Sequence, residues 1–203
     1  MATMPETACN LRRNLHEIAG QLRLSAAVVE FLDCYYADFD FAGGSDASPE
    51  ELVGAAAQHF RLGEQRSPRQ PVLALYTPDF DRHGWHSPHT VIDVVTDDMP
   101  FLVDSISMLV YRRGLAIHRL LHPLLGAERG PDGGLQRITP HGGQGSRAES
   151  WIHLEIDRIG DSGEVDDLQR EIAGVLADVR SAVEDGAAIQ QNMRAAAAEL
   201  AAD

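Results

Sequence analysis

A run of β-branched residues broken by a single acid, followed at once by a turn and an amphipathic helix, constrains this chain more than any other feature. Residues 90–114 read TVIDVVTDDMPFLVDSISMLVYRRG. Val91, Ile92, Val94 and Val95 are what an interior strand carries, with Asp93 as the interruption. Thr96, Asp97 and Asp98 offer acceptors to the free amides of a helix start, and Pro100 suits the first helical turn. Leu102, Ile106, Leu109 and Val110 then recur at helical spacing on one face. Arg112 and Arg113 stand at the negative end of the helix dipole, and Gly114 suits a left-handed exit. Such a turn presents backbone donors at 97–100, where a ligand or a partner would meet them.

The flanking sequence supplies partners for this unit. Upstream, Leu11, Leu15, Ile18, Ala19 and Leu22 form a helical stripe, and Ser25 caps a second helix carrying Val28, Leu32, Tyr35 and Tyr36. Residues 39–47 read as a loop, and Ser48-Pro49-Glu50-Glu51 opens a third helix with a capping box. Val72, Leu73, Ala74, Leu75 and Tyr76 read as a strand, closed by Thr77-Pro78-Asp79. Downstream, Leu115, Ile117 and Leu121 alternate as a strand that Pro123 weakens or ends. Residues 126–146, with seven glycines and two prolines, read as a mobile hairpin loop. Ile152, Leu154 and Ile156 alternate with Trp151, His153, Glu155 and Asp157, which predicts a strand with one dry and one wet face. Val165, Leu168, Ile172, Leu176, Val179 and Val183 predict a long amphipathic helix, and residues 187–203 an Ala-rich helix leading into a longer chain.

Strand, helix, strand, long loop, strand and helix in this order predict a split βαβ arrangement. The expected class is α+β and ferredoxin-like: an antiparallel sheet with helices on one face, preceded by a small helical segment and followed by an Ala-rich helix. The expected divisions are 1–68, 69–186 and 187–203.

Charge narrows the function classes. A net charge of −14, with the 17 cationic residues dispersed, argues against nucleic acid as a partner. All 17 are Arg, so no lysine is present to form a Schiff base or to act as an amine base. Cys9 and Cys34 are isolated thiols; with no signal-peptide pattern and no long apolar run, a reduced cytoplasmic setting without a membrane partner is expected.

Several residues invite chemistry. Asp97, Asp98, Met99, Pro100, Phe101 and Asp104 are the ligand or interface candidates, because they surround the strand-to-helix turn. His83, His86 and His89, with Asp79 and Asp81 nearby, have a spacing that could serve a metal, but a turn containing Pro88 does not ensure convergence; no metal site is assigned. Trp85, His118, Trp151 and His153 are interface candidates, with core caps as the other reading of the two tryptophans. No catalytic residue is assigned: Ser105 and Ser107 lie outside any nucleophile elbow. Gly143-Gln144-Gly145-Ser146-Arg147-Ala148 matches the glycine pattern of a dinucleotide loop, but it runs into a strand instead of following one.

Four blocks in order carry a resemblance: His86-Ser87-Pro88-His89-Thr90; Asp97-Asp98-Met99-Pro100-Phe101-Leu102-Val103-Asp104-Ser105; Arg113-Gly114-Leu115 with His122-Pro123; and Glu149-Ser150-Trp151-Ile152-His153-Leu154-Glu155-Ile156-Asp157. Together they closely resemble the N-terminal region of the large bacterial NAD-dependent glutamate dehydrogenases. The resemblance implies an ACT-type βαββαβ module with a regulatory or oligomerising role. It further implies no cofactor in this segment, NAD in a catalytic domain far downstream, and partners that are other copies or other domains of the same polypeptide. An amino-acid effector at 97–101 is the alternative. Such sites often have glycine after the turn's proline, and Phe101 departs from that pattern.

Overall fold

The computed structural model describes residues 6–37, 47–140 and 146–200; the side chains of residues 6–11, 187, 188 and 190–200 are outside it. The helices are α1 Glu6–Gln21, α2 Ala26–Tyr35, α3 Pro49–Gly63, α4 Phe80–His83, α5 Leu102–Arg112 and α6 Ser162–Leu200. The strands are β1 Val72–Tyr76, β2 Thr90–Asp97, β3 Ile117–Leu121, β4 Leu124–Arg129, β5 Leu135–Pro140 and β6 Arg147–Ile156.

The strands form one sheet in the order β1-β2-β6-β4-β5, with β3 also beside β6. The ten-residue β6 is the spine. Along one side it pairs with the whole of β2, from Thr90↔Ile156 to Asp97↔Glu149. Along the other side its first half pairs with β4 and its second half with β3. β3 and β4 are thus nearly one strand, interrupted where Pro123 lacks a donor, and the carbonyl of Pro123 still accepts from the Trp151 N–H at 3.1 Å. β2 and β3 both run antiparallel to β6, so they are parallel to each other with β6 between them and α5 crossing over. That is the expected split βαβ, ferredoxin-like core. β1, from upstream in the chain, occupies the outer place beside β2.

Each sheet face has its own apolar cluster. Ile92, Val94, Ile152, Leu154 and Ile156 meet Leu102, Ile106, Leu109 and Val110 of α5 and Leu168, Ile172, Leu176 and Val179 of α6. On the other face Val95, Leu121, Leu125 and Trp151 pack against Leu15, Phe31, Leu32, Tyr35, Val53, Ala56 and Phe60 of α1–α3. The expectation of helices on one face describes α5 and α6. The N-terminal helical segment covers the opposite face, so the sheet is roofed on both sides.

Two local expectations need correction. The stretch 126–146 is not simply a loop, because β4 and β5 form a hairpin in register within it, from Leu125↔Pro140 to Arg129↔Leu135. Gly130, Gly133 and Gly134 lie at its tip, where Gly133 has φ 85° and the Gly133 carbonyl accepts from the Arg66 N–H. Residues 141–145 lie outside the described ones, and so does the 39–46 part of the expected loop. The anticipated wet face of β6 is dry, since Trp151 and His153 are fully buried and Glu155 is 2% exposed. Alternation reports two faces but not what covers them.

The helical roof comes close enough to the sheet to require glycine. A Cβ on Gly63 would sit 2.1 Å from the ring tip of Trp151, which Phe31 and His59 already wall in. Gly63→Ala is expected to lower stability by roughly 1–3 kcal/mol, read from urea unfolding, because an overpacked core must shift. Gly20→Ala, where nothing lies within 4 Å of the added carbon, is the matched control and should not destabilise.

Candidate functional site

The strand-to-helix turn is built differently from its sequence reading. β2 continues through Asp97, and α5 starts at Leu102 with Phe101 as N-cap, in the left-handed conformation (φ 70°) and without a side-chain cap. Pro100 therefore precedes the helix instead of opening it. The acids are used elsewhere: Asp97 accepts from Arg66 at 2.8 Å and Arg180 at 3.0 Å, and Asp98 accepts from Ser150 Oγ at 2.8 Å. Asp98, Pro100 and Asp104 are exposed, and Met99 packs partly against the α5/α6 core. Phe101 is 69% exposed at a backbone conformation that favours glycine. Phe101→Gly should therefore be tolerated or slightly stabilising, whereas Phe101→Ile should cost roughly 1–2 kcal/mol in the same denaturation assay.

Behind the turn lies an arginine-carboxylate lattice that motif reading missed. Glu149, 1% exposed, accepts from Arg66 Nε at 3.2 Å and Nη2 at 2.6 Å, and from Arg129 Nε at 2.7 Å and Nη2 at 2.9 Å. Arg66 also donates to Asp97 and to the Gln70 carbonyl; Arg129 donates to the carbonyls of Gly63 and Gly133. The lattice joins the end of α3, the end of β2, β4, β6 and α6 through Arg180. Paired guanidiniums hold the Asp97 carboxyl below its usual range despite partial burial.

A second polar cluster lies between sheet and helical roof, centred on the cross-strand pair Asp93↔His153. His153 Nδ1 is 2.6 Å from Asp93 Oδ1, Tyr76 donates to Asp93 Oδ2 at 2.7 Å, and His153 Nε2 stands 3.5 Å from Glu155 Oε1. That last separation is an ion-pair contact without a formed hydrogen bond, which leaves Nε2 as a buried atom lacking a hydrogen-bond partner. Glu155 also takes bonds from Arg119, from Ser87 Oγ at 3.0 Å and from His89 Nδ1 at 3.1 Å. His59, on α3, lies within 3.2 Å of the Val94 carbonyl through Nε2 and 2.8 Å from the Tyr35 hydroxyl through Nδ1. A neutral ring donating from Nε2 and accepting at Nδ1 satisfies both contacts.

The electrostatics follow from that wiring. Burial opposes charge on His153, but Asp93 and Glu155 on either side prevail and push its pKa up to about 9. Burial also opposes the charge on Glu155, yet His153 and Arg119 pull its pKa down to about 2. His59, where desolvation prevails, is lowered and stays neutral. Donor atoms of His59, Asp93 and His153 lie within 4.8 Å of one another, a set that could converge on a cation. The atoms nearest that point are already engaged, His59 Nδ1 by Tyr35 and His153 Nδ1 by Asp93, whose other oxygen holds Tyr76, so the arrangement serves as a staple between roof and sheet.

The remaining candidates separate. His83 Nδ1 accepts from the Asp79 N–H and its ring stacks on Tyr76, His86 stacks on Phe80, and His89 binds Glu155 and stacks on His118, so this histidine triplet does not converge. His118 is exposed and pairs with Asp157 at 2.7 Å. Trp85 is 2% exposed and Trp151 and His153 are fully buried; these three belong to the interior, not to a partner surface. Of the glycine motif at 143–148, Arg147 and Ala148 lie in β6, so it leads into a strand.

Residues 31–172 match the family model described as the ACT1 domain of glutamate dehydrogenase. The chain belongs to this family. It is 41% identical over 152 residues to the NAD-specific glutamate dehydrogenase of Pseudomonas aeruginosa, covering 74% of this chain and 9% of that protein. The NAD-specific glutamate dehydrogenase of Halomonas elongata is 34% identical over 180 residues, 88% of this chain and 11% of its own length. That of Mycobacterium tuberculosis is 28% identical over 192 residues, 87% and 12%. The chain thus spans about a tenth of the length of these relatives. The ACT1 match takes in β1 through β6, α3 to α5 and the start of α6, together with the second half of α2. Among the described residues no helix is long and apolar enough to cross a membrane.

Proposed function

We propose that this chain is a regulatory and self-associating ACT-type segment of a large NAD-specific glutamate dehydrogenase. The full polypeptide would oxidatively deaminate L-glutamate to 2-oxoglutarate and ammonia, with NAD held by a catalytic domain outside this chain. The observation that carries the reading is the ACT1 match over residues 31–172, the stretch that builds the split βαβ core. The fully buried ion pair of Asp93 and His153 supports it, since it is sealed between sheet and helices, away from the surface where a substrate would bind. A platform of this kind would act on catalysis through contacts with other copies or domains, in a cytoplasmic enzyme.

The test is removal of the corresponding segment from a full-length relative. The truncated enzyme should still reduce NAD with glutamate while its assembly size or its response to amino acids changes. Loss of hydride transfer at unchanged size, with the remaining domains folded, would overturn the proposal.

A metabolite sensor at residues 97–101 is the second reading, favoured by the uncapped amides at the start of α5. An amino acid present at about 100 times its dissociation constant would add ~2.7 kcal/mol to the stability of the chain. A melting temperature unmoved by any of the twenty amino acids would discard that reading.

A further inference from the structure

We propose that the cleft between the β4–β5 hairpin and residues 66–68 is a binding site for a small dianion, a dicarboxylate or a phosphate. The cleft measures about 640 Å³, within the range of small-molecule sites, and Arg66, Arg129, Arg147, Gln136, Glu128 and Glu149 supply its polar walls. Three guanidiniums face two carboxylates there, and Glu128 is already turned to Arg137 at 3.8 Å. Among the lining residues the cations outnumber the acids, with Asp97 holding Arg66 from outside the lining, in a chain whose net charge is −14.

The donor count shows what remains for a ligand. A guanidinium has five N–H donors. Arg66 gives two to Glu149, one to Asp97 and one to Gln70, and so keeps one on Nη1. Arg129 gives two to Glu149 and one each to Gly133 and Gly63, and likewise keeps one on Nη1. Arg147, at the exposed start of β6, has no hydrogen-bond or ion-pair partner for its guanidinium among the described residues. Two arginines are therefore fixed in place before any ligand arrives, and the third is free to close on it. Fixed donors remove the ordering cost of binding, and a free guanidinium offers the two-pronged geometry that carboxylates and phosphates accept. None of residues 97–101 lines the cleft, so the proposal is separate from the sensor reading of that turn and from the assembly proposal.

Titration calorimetry of the 203-residue chain tests this, with inorganic phosphate and with succinate, the ionic strength being held constant by sodium chloride. Saturable one-to-one binding of either probe is expected, weakened roughly tenfold or more by Arg147→Gln and unchanged by Arg170→Gln on the distant α6 surface. Binding of phosphate alone assigns a phosphoryl ligand; binding of succinate alone assigns a dicarboxylate. No saturable heat from either probe, or equal affinity in the Arg147→Gln chain, would overturn the proposal. Arg147 is exposed, so its variant should fold, and an unchanged urea midpoint verifies that.

Discussion

Asp93→Ala is expected to lower the stability of this chain by about 3–5 kcal/mol, measured by urea unfolding near neutral pH. The carboxylate is fully buried and receives the Tyr76 hydroxyl and the His153 ring. Its removal leaves a buried imidazolium and a buried hydroxyl without their partner, the situation in which breaking a buried pair costs most. Asp93→Asn keeps the shape and loses the charge, so it should cost less than Ala but still lower the pKa of His153.

The same cluster gives the wild-type chain a pH dependence of defined sign. His153 is raised to about 9 in the folded chain from 6.5. Its contribution is complete below pH 6.5 and is lost as pH rises through 9, a fall on the order of 3 kcal/mol. His59 works on the acid side. It stays neutral in the fold, so below about pH 6.5 the unfolded chain takes up a proton that the folded chain refuses. These two groups together place maximal stability near pH 6.5. Unfolding free energies at pH 6.5 and pH 9 measure the alkaline limb, and His153→Gln should flatten it. An alkaline limb of equal slope in that variant would show that His153 is not its source.

The second large effect is expected at Glu149. Its carboxylate is the shared acceptor of Arg66 and Arg129, whose side chains are 2% and 11% exposed. Glu149→Ala should destabilise by about 3–5 kcal/mol, since both cations lose their main partner in a poorly solvated place. The damage should be directional. Asp97 still holds Arg66, whereas Arg129 keeps only carbonyl acceptors, so the β4–β5 hairpin should loosen first. Amide hydrogen exchange would then quicken in β4 and β5 before β2 and the C-terminal half of β6.

Local chemistry made much of this fold legible. The β-branched run at 91–95 and the stripe Leu102, Ile106, Leu109 fix a strand and the buried face of a helix without outside help. Ser48 and Glu51 announce α3, and the reciprocal bonds are present at 3.2 and 2.8 Å. The hairpin at 126–146 is legible from its glycines but its two paired strands are not, because glycine marks both loops and tight hairpin tips and only the partner strand distinguishes them. The polar cluster was unreadable for a related reason. His153 and Asp93 are 60 residues apart, and their meeting depends on the β2–β6 register. The signal that would have found them was already present. Asp93 interrupts a strand buried on both faces, and such an acid demands a cation or donors facing it. His59, amid the alanines of α3, is the complementary signal. The turn at 97–101 lies where the sequence puts it, but its acids do not cap α5, because distant arginines hold Asp97 and Ser150 holds Asp98.

The central claim, a self-associating platform with its ionisable cluster sealed inside, is tested most directly by molar mass in solution. Light scattering on the chain, over concentrations from about 1 to 100 μM, should give a mass that rises to a multiple of 22.1 kDa. A mass fixed at 22.1 kDa across that range would contradict it.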